Sequence, residues 1–197
     1  MKSIVIDTDK IILNDILLKT GAEIGMSLLT SVYKTGAIGY PKYYKMDPLC
    51  RLGFIGAEML LGPGESPDGD THAVVVIGHG GSIADDRQYQ NTIADSNNYF
   101  PSPAVFVYTL ANIVTGEISI RHKLFGETSS YLIEHYDYER ITDLLLTAFN
   151  DPETEHITGG WIDYETDSRF SLRFVNIDRN TPREEILDFF RDFSINS

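Results

Sequence analysis

Residues 101–126, PSPAVFVYTLANIVTGEISIRHKLFG, hold the pattern that decides the fold of this chain. The Pro101-Ser102-Pro103 punctuation ends whatever precedes it, and the apolar run from Val105 to Ile120 predicts a largely buried helix. Its Val, Ile and Thr content weakens the intrinsic helical preference, so tertiary packing must hold it. Downstream, Tyr131 to Ile133 reads as a short strand, and Ile141, Leu144, Leu145 and Ala148 give an amphipathic helix broken at Asp151-Pro152. Ile157 to Tyr164 and Phe170 to Ile177 then read as two strands joined by a turn. Thr181-Pro182-Arg183-Glu184 combines an N-cap, a proline at the first helical position and a capping-box glutamate, which predicts a final helix from Thr181 to Phe193.

Upstream, branched apolar residues at Ser3 to Ile6 and Ile11 to Leu17 flank Asp7-Thr8-Asp9, as a strand, a turn and a second element would. Leu49, Leu52, Ile55, Met59 and Leu60 recur at helical spacing from Pro48 to Leu61, and Gly62-Pro63-Gly64 ends the pattern. Ala73 to Ile77 is a β-branched run that suits a strand buried on both faces, with a glycine-rich exit at Gly78-His79-Gly80-Gly81-Ser82. Asp85 to Asn98 is a polar stretch with no element assigned to it. The alternation of strands and helices predicts one α/β layered domain over residues 1–197.

The composition narrows the function classes. A chain of 197 residues with 42% hydrophobic content suffices for one sizeable core. Its longest apolar runs are far too short to cross a bilayer, no basic leader opens it, and its single cysteine suits a reducing compartment, so a cytoplasmic protein is expected. The net charge of −13 is concentrated in the last third: residues 1–123 carry 13 acidic and 10 basic side chains, residues 124–197 carry 16 and 6. Such a field makes nucleic acid and anionic membrane poor partners and disfavours direct docking of acidic carrier proteins.

Three blocks resemble one family in the same order and at compatible spacing. Tyr43-Tyr-Lys-Met-Asp-Pro-Leu-Cys-Arg-Leu-Gly53 is similar to the K-M-D opening of an early helix of β-ketoacyl synthases. Val74 to Gly81 is similar to their next core strand and its small-residue exit, and Ser102-Pro103 through Asn112, Gly116 and Ile118 to Arg121 to the segment before their nucleophilic cysteine. Tyr138 to Phe149 followed by Ile157-Thr-Gly-Gly160 resembles the helix and A-G-G strand beyond it. The resemblance implies the first half of a thiolase-like fold, and the chain resembles more narrowly the short Bacteroidetes-type ketosynthase-like proteins that accompany aryl polyene, flexirubin and related lipid-pigment pathways. At this length the chain leaves no room for the second half, with the two histidines that assist condensation.

The family's chemistry does not carry over with the scaffold. Counting from Gly126 to the cysteine's place gives His135, and the only cysteine is Cys50. Imidazole forms no stable thioester, so His135 could serve at most as a general base oriented by Glu134 or Asp137, in a residual acyl-transferase or thioesterase. Cys50 reads as a small buried hydrophobe whose thiol the adjacent Asp47 holds protonated. Gly78-His79-Gly80-Gly81 resembles an esterase oxyanion motif but lacks a nucleophile elbow, and the five histidines have no metal-ligand spacing. No cofactor and no metal are expected.

By resemblance, Ala104, Val105 and Phe106 match positions near the subunit interface and the partner's acyl channel, and Asn112 matches a buried hydrogen-bonding asparagine. Half of a pseudo-symmetric fold is expected to leave apolar surface where its twin would pack, which implies a homodimer or heterodimer. The leading expectation is a non-catalytic, chain-length-factor-like subunit that pairs with a full-length ketosynthase or with itself, acyl carrier protein reaching it through that partner. An acyl- or lipid-binding module is the remaining alternative.

Overall fold

The computed structural model describes residues 1–20, 23–64, 66, 68–97 and 99–192. Seven strands form one mixed sheet in the order β3-β2-β1-β7-β6-β4-β5. They are β1 Lys2–Asp7, β2 Lys10–Leu13, β3 Ile16–Thr20, β4 His72–Gly78, β5 Thr128–Leu132, β6 His156–Thr166 and β7 Arg169–Asp178. Among the described residues the helices are α1 Gly25–Thr35, α2 Pro48–Leu61, α3 Ile83–Ile93, α4 Pro103–Tyr108, α5 Ile113–His122, α6 Tyr138–Leu146 and α7 Arg183–Arg191. None of them is long and apolar enough to cross a membrane.

Every residue of β4 is buried, as its unbroken β-branched run requires of a strand covered on both sides. It runs parallel to β5 and β6, pairing Ile77 with Tyr131 and with Trp161. β6 and β7 form the antiparallel hairpin expected around residue 167. Alternate residues of these strands feed two cores. Val74 and Val76 face the layer of α1, α2 and α5, whereas Ala73, Val75 and Ile77 face α6 and α7. The glycines of β6 are needed where the sheet is tightest: at Gly159 φ is +150°, and a Cβ there would run into the Val75 carbonyl.

The sequence placed α2 to the residue, because its signals are local. Asp47 Oδ1 accepts from Cys50 N at 2.9 Å, Pro48 opens the first turn, and Gly62, at φ +83°, closes the last. Elsewhere the structure corrects the expectations. Ile11 to Leu17 is two strands, because Asn14 and Asp15 both take positive φ and turn the chain into a hairpin. The polar stretch from Asp85 contains α3, whose core-facing surface is too small to register as an apolar pattern.

The run from Val105 to Ile120 is not one buried helix. It breaks between Tyr108 and Ile113 into α4, which buries no residue, and α5, which buries Val114 and Ile118. At the C-terminal end the capping box does not form: Thr181 Oγ1 accepts from Asp178 N at 3.2 Å in the preceding turn, and Pro182 takes the N-cap position. The expected end of that helix at Phe193 lies outside the described residues.

Candidate functional site

The sheet ends at β5, which pairs on one side with β4 and offers its other edge outward. The turn between α4 and α5 rests against it: Ser130 Oγ donates to the Ala111 carbonyl at 3.5 Å, and Gly81 packs close to both Ala111 and Leu132. α4 is held from its N-terminus by Ser102, whose hydroxyl accepts from Val105 N at 3.4 Å, and from its flank by α3, where the Tyr89 and Phe106 rings lie 5.4 Å apart. At its end Tyr108 donates to Glu117 of α5 at 3.1 Å, and Lys42 pairs with the same carboxylate at 2.7 Å.

These anchors leave large apolar side chains in solvent. Phe106 is 50% exposed and Leu132 59%, and Tyr99, Phe100, Val107 and Leu110 are exposed with them. Phe106, Val107 and Leu110 follow one another along α4 and the turn after it, so the exposed apolar area there is a strip rather than isolated side chains. Of the sequence-derived positions, Ala104 and Phe106 lie on this surface and Val105 is half-buried beneath it. Asn112 departs from expectation: it is exposed at the start of α5, its side chain caps nothing, and its backbone carbonyl accepts from Thr115 Oγ1 at 2.7 Å. The helix break puts it outside, where no buried backbone needs its amide.

The apolar surface expected from a missing half is concentrated at the sheet edges, although Tyr44, Ile120 and Phe125 are exposed as well. Besides the β5 edge it appears at the opposite one, where Ile16, Leu17 and Leu18 of β3 are exposed. The outer face of α6 and α7 is instead charged and self-paired, with Arg183 on Asp143 at 2.7 Å and Arg191 on Asp188 at 2.6 Å.

His135 sits in the bend between β5 and α6, exposed, beside a shallow open depression lined by Leu132, Ile133, Glu134, Asp137 and Arg140. Asp137 spends its Oδ1 on Arg140 N at 3.0 Å as the N-cap of α6. Among the described residues no hydrogen bond joins Glu134 or Asp137 to His135, and no hydroxyl or thiol lines the depression. The arrangement holds an imidazole and no nucleophile for it to activate. His79, next to it, approaches the Ile133 carbonyl through Nδ1 at 3.2 Å, and Gly80 N donates to Asp163 at 2.9 Å, so the glycine-rich exit is a turn tied into β6.

Cys50 lies on α2, in the layer covering the opposite face of the sheet from α6, and is 1% exposed. Burial, then Asp47, pushes its thiol well above the ordinary range, which leaves it a protonated packing group. His72, the first residue of β4, is buried with Nε2 2.8 Å from Thr158 Oγ1 of β6, and burial holds it down to about 4. His122 is likewise depressed by burial and stands 3.5 Å from Glu58, whose carboxylate also takes two bonds from Arg121 at 2.8 and 2.6 Å. Among the described residues no group of three or more His, Cys, Asp or Glu side chains converges as metal ligands.

Sequence reading overlooked a second polar group, under α3 and α4. Asp47, Ser82, Asp85 and Glu117 are all buried, each with an oxygen that has no hydrogen-bond partner. The only signal was the Ser82-x-x-Asp85 spacing, which reads as a helix start.

No family model and no curated protein matches the sequence. Solved structures do resemble the fold. The ishigamide ketosynthase/chain length factor superposes with a TM-score of 0.63 at 11% identity over 92% of this chain, and the chain spans 62% of that structure's length. A ketosynthase (ApeO) in complex with its chain length factor (ApeC) from Xenorhabdus doucetiae gives a TM-score of 0.57 at 13% identity over 79% of this chain and 75% of that one. Over the part of them that it spans, the chain therefore shares the α/β fold of these ketosynthase and chain-length-factor structures.

Proposed function

We propose that this chain is a non-catalytic, chain-length-factor-like subunit that covers a ketosynthase with its β5 edge and α4 and helps to shape the acyl pocket there. The observation that carries the reading is the exposed strip from Phe106 to Leu110 beside the open edge of β5. The lack of a nucleophile beside His135 supports the non-catalytic part. Both named structural neighbours are ketosynthase and chain-length-factor assemblies, which makes a ketosynthase the preferred partner over a second copy.

In this reading β5 extends its partner's sheet by backbone hydrogen bonds, and Ala104, Val105 and Phe106 contribute apolar area at the joint. Acyl carrier protein reaches the pair through the ketosynthase, away from the carboxyl-rich last third. A polyketide or aryl polyene pathway is the setting that suits these parts. Co-expression with the ketosynthase encoded nearest to it tests the reading: the two should co-purify, and Phe106→Glu should separate them. A chain that stays monomeric beside every such ketosynthase, and whose addition never alters condensation or product length, would overturn it.

A further inference from the structure

α3 and α4 are seated on the body by an unusual group. Of the eleven residues of α3 only Asp85 is buried, at 5% exposed, and α4 buries none. Asp47, equally buried at the N-terminus of α2, accepts from Cys50 N through Oδ1 and leaves Oδ2 without a hydrogen-bond partner, and its charge acts on Asp85. Asp85 Oδ2 and the Ser82 hydroxyl are also buried without partners. Ser82 and Asp85 stand at capping-box spacing, yet neither side chain closes the box, so both remain directed at the interior.

The charged and titratable surroundings offer Asp85 no relief. Asp86 is its neighbour on α3, Cys50 lies on α2, and Glu117 of α5 is engaged by Lys42 and by Tyr108 of α4. Burial raises the Asp47 carboxyl as well, against its Cys50 bond and Arg51, while Arg87 turns outward to Glu165 at 3.8 Å and Asp163 of β6 is held by Gly80 N. Among the described residues no ion pair reaches Asp85 or Asp47. A buried carboxylate with no ion pair is costly in a protein interior, and a proton is the simplest remedy.

We propose that Asp85 is seated in the interior as the neutral carboxylic acid in mildly acidic solution, so that seating α3 and α4 there takes up a proton from solvent and makes the presentation of the Phe106 face pH-dependent. Burial first, and then the Asp47 charge, push the Asp85 carboxyl up to about 6, in keeping with that state. The sign follows from linkage. A carboxyl raised in the seated state contributes fully below its ordinary value of about 4 and loses that contribution as pH rises through about 6. α3 and α4 are therefore held more firmly in acid than at neutral pH, by about 100-fold at most for a shift of about two units.

Hydrogen exchange on the isolated full chain, corrected for intrinsic rates, tests this without a partner, so its failure leaves the partner-subunit reading standing. Amides of α3 and α4 should be roughly 20-fold less protected at about pH 7 than at about pH 4.5. Asp85→Asn, which mimics the protonated acid, should hold its acid-like protection at both values. An Asp85→Asn chain less protected than wild type at neutral pH, or a wild type whose α3 ignores pH, overturns the proposal. A carboxyl-carbon NMR titration of the wild type needs no variant: Asp85 should titrate near 6, and a midpoint near 4 refutes it.

Discussion

The α6–α7 layer and the α3–α4 pair flank the same sheet and are finished in opposite ways. α6 and α7 bury Ile141, Leu145, Ile186 and Phe190 against β4, β6 and β7, and close their outer faces with Arg183–Asp143 and Arg191–Asp188 pairs. α3 buries a single carboxyl, and α4 turns Phe106 and Val107 outward. The apolar stripe of the first pair faces inward and its charges face water, so that layer is complete within this chain. The second pair keeps apolar area in water, which is the costly side of the hydrophobic effect unless another surface covers it. Apolar content alone therefore does not say what a helix packs against. The direction of its stripe does.

The contrast can be broken most severely from the buried side. Leu145→Ala, beneath α6, should cost about 3 kcal/mol of unfolding free energy in urea titration, whereas Phe106→Ser should leave the isolated fold within about 1 kcal/mol of wild type. A Phe106→Ser chain as unstable as Leu145→Ala would mean that α4 is part of the core after all. Next in size, Phe106→Glu should weaken association with a ketosynthase by about 2 kcal/mol or more, read by calorimetry or co-purification, while Asp143→Asn on the α6 outer face should leave association unchanged. Equal losses from the two sites would erase the distinction between the faces.

Acid should act on the fold as a whole and on the α3–α4 pair with opposite signs. His72 is neutral in the fold, its value depressed to about 4, so its contribution is present above about 6.5 and is lost as pH falls toward 4. Global stability should drop by on the order of 2 kcal/mol between about pH 7 and about pH 4.5, and His72→Asn should flatten much of that slope. Over the same range α3 should become better protected. The smallest expected effect is Cys50→Ser, which should leave partner binding and product length unchanged, because the thiol is buried and protonated; changed product length would give it a role in chemistry.

How far each element could be read in advance follows from where its determinants lie. Asp47, Pro48 and Gly62 act through bonds and backbone angles within a few residues, so α2 was legible at both ends. The strand run of β4 and the β6–β7 hairpin carried their own patterns as well. α4 was misread as buried because Val, Phe and Leu have the same composition whether they face a core or a partner, and the break at 109–112 follows from tertiary packing against β5. α3 was missed because its one interior residue is an aspartate, which no hydrophobic pattern registers.

The sequence by itself determined the α/β layering, the single thiol at Cys50 and the resemblance that pointed to the fold, all of which depend on residue identity and order. Only the tertiary structure decided which apolar residues stay outside, that Asn112 and His135 are exposed, and that Asp47 and Asp85 are both buried. Those outcomes depend on which distant segments approach one another in space, and burial and charge at a residue are set by that approach rather than by its neighbours in the chain.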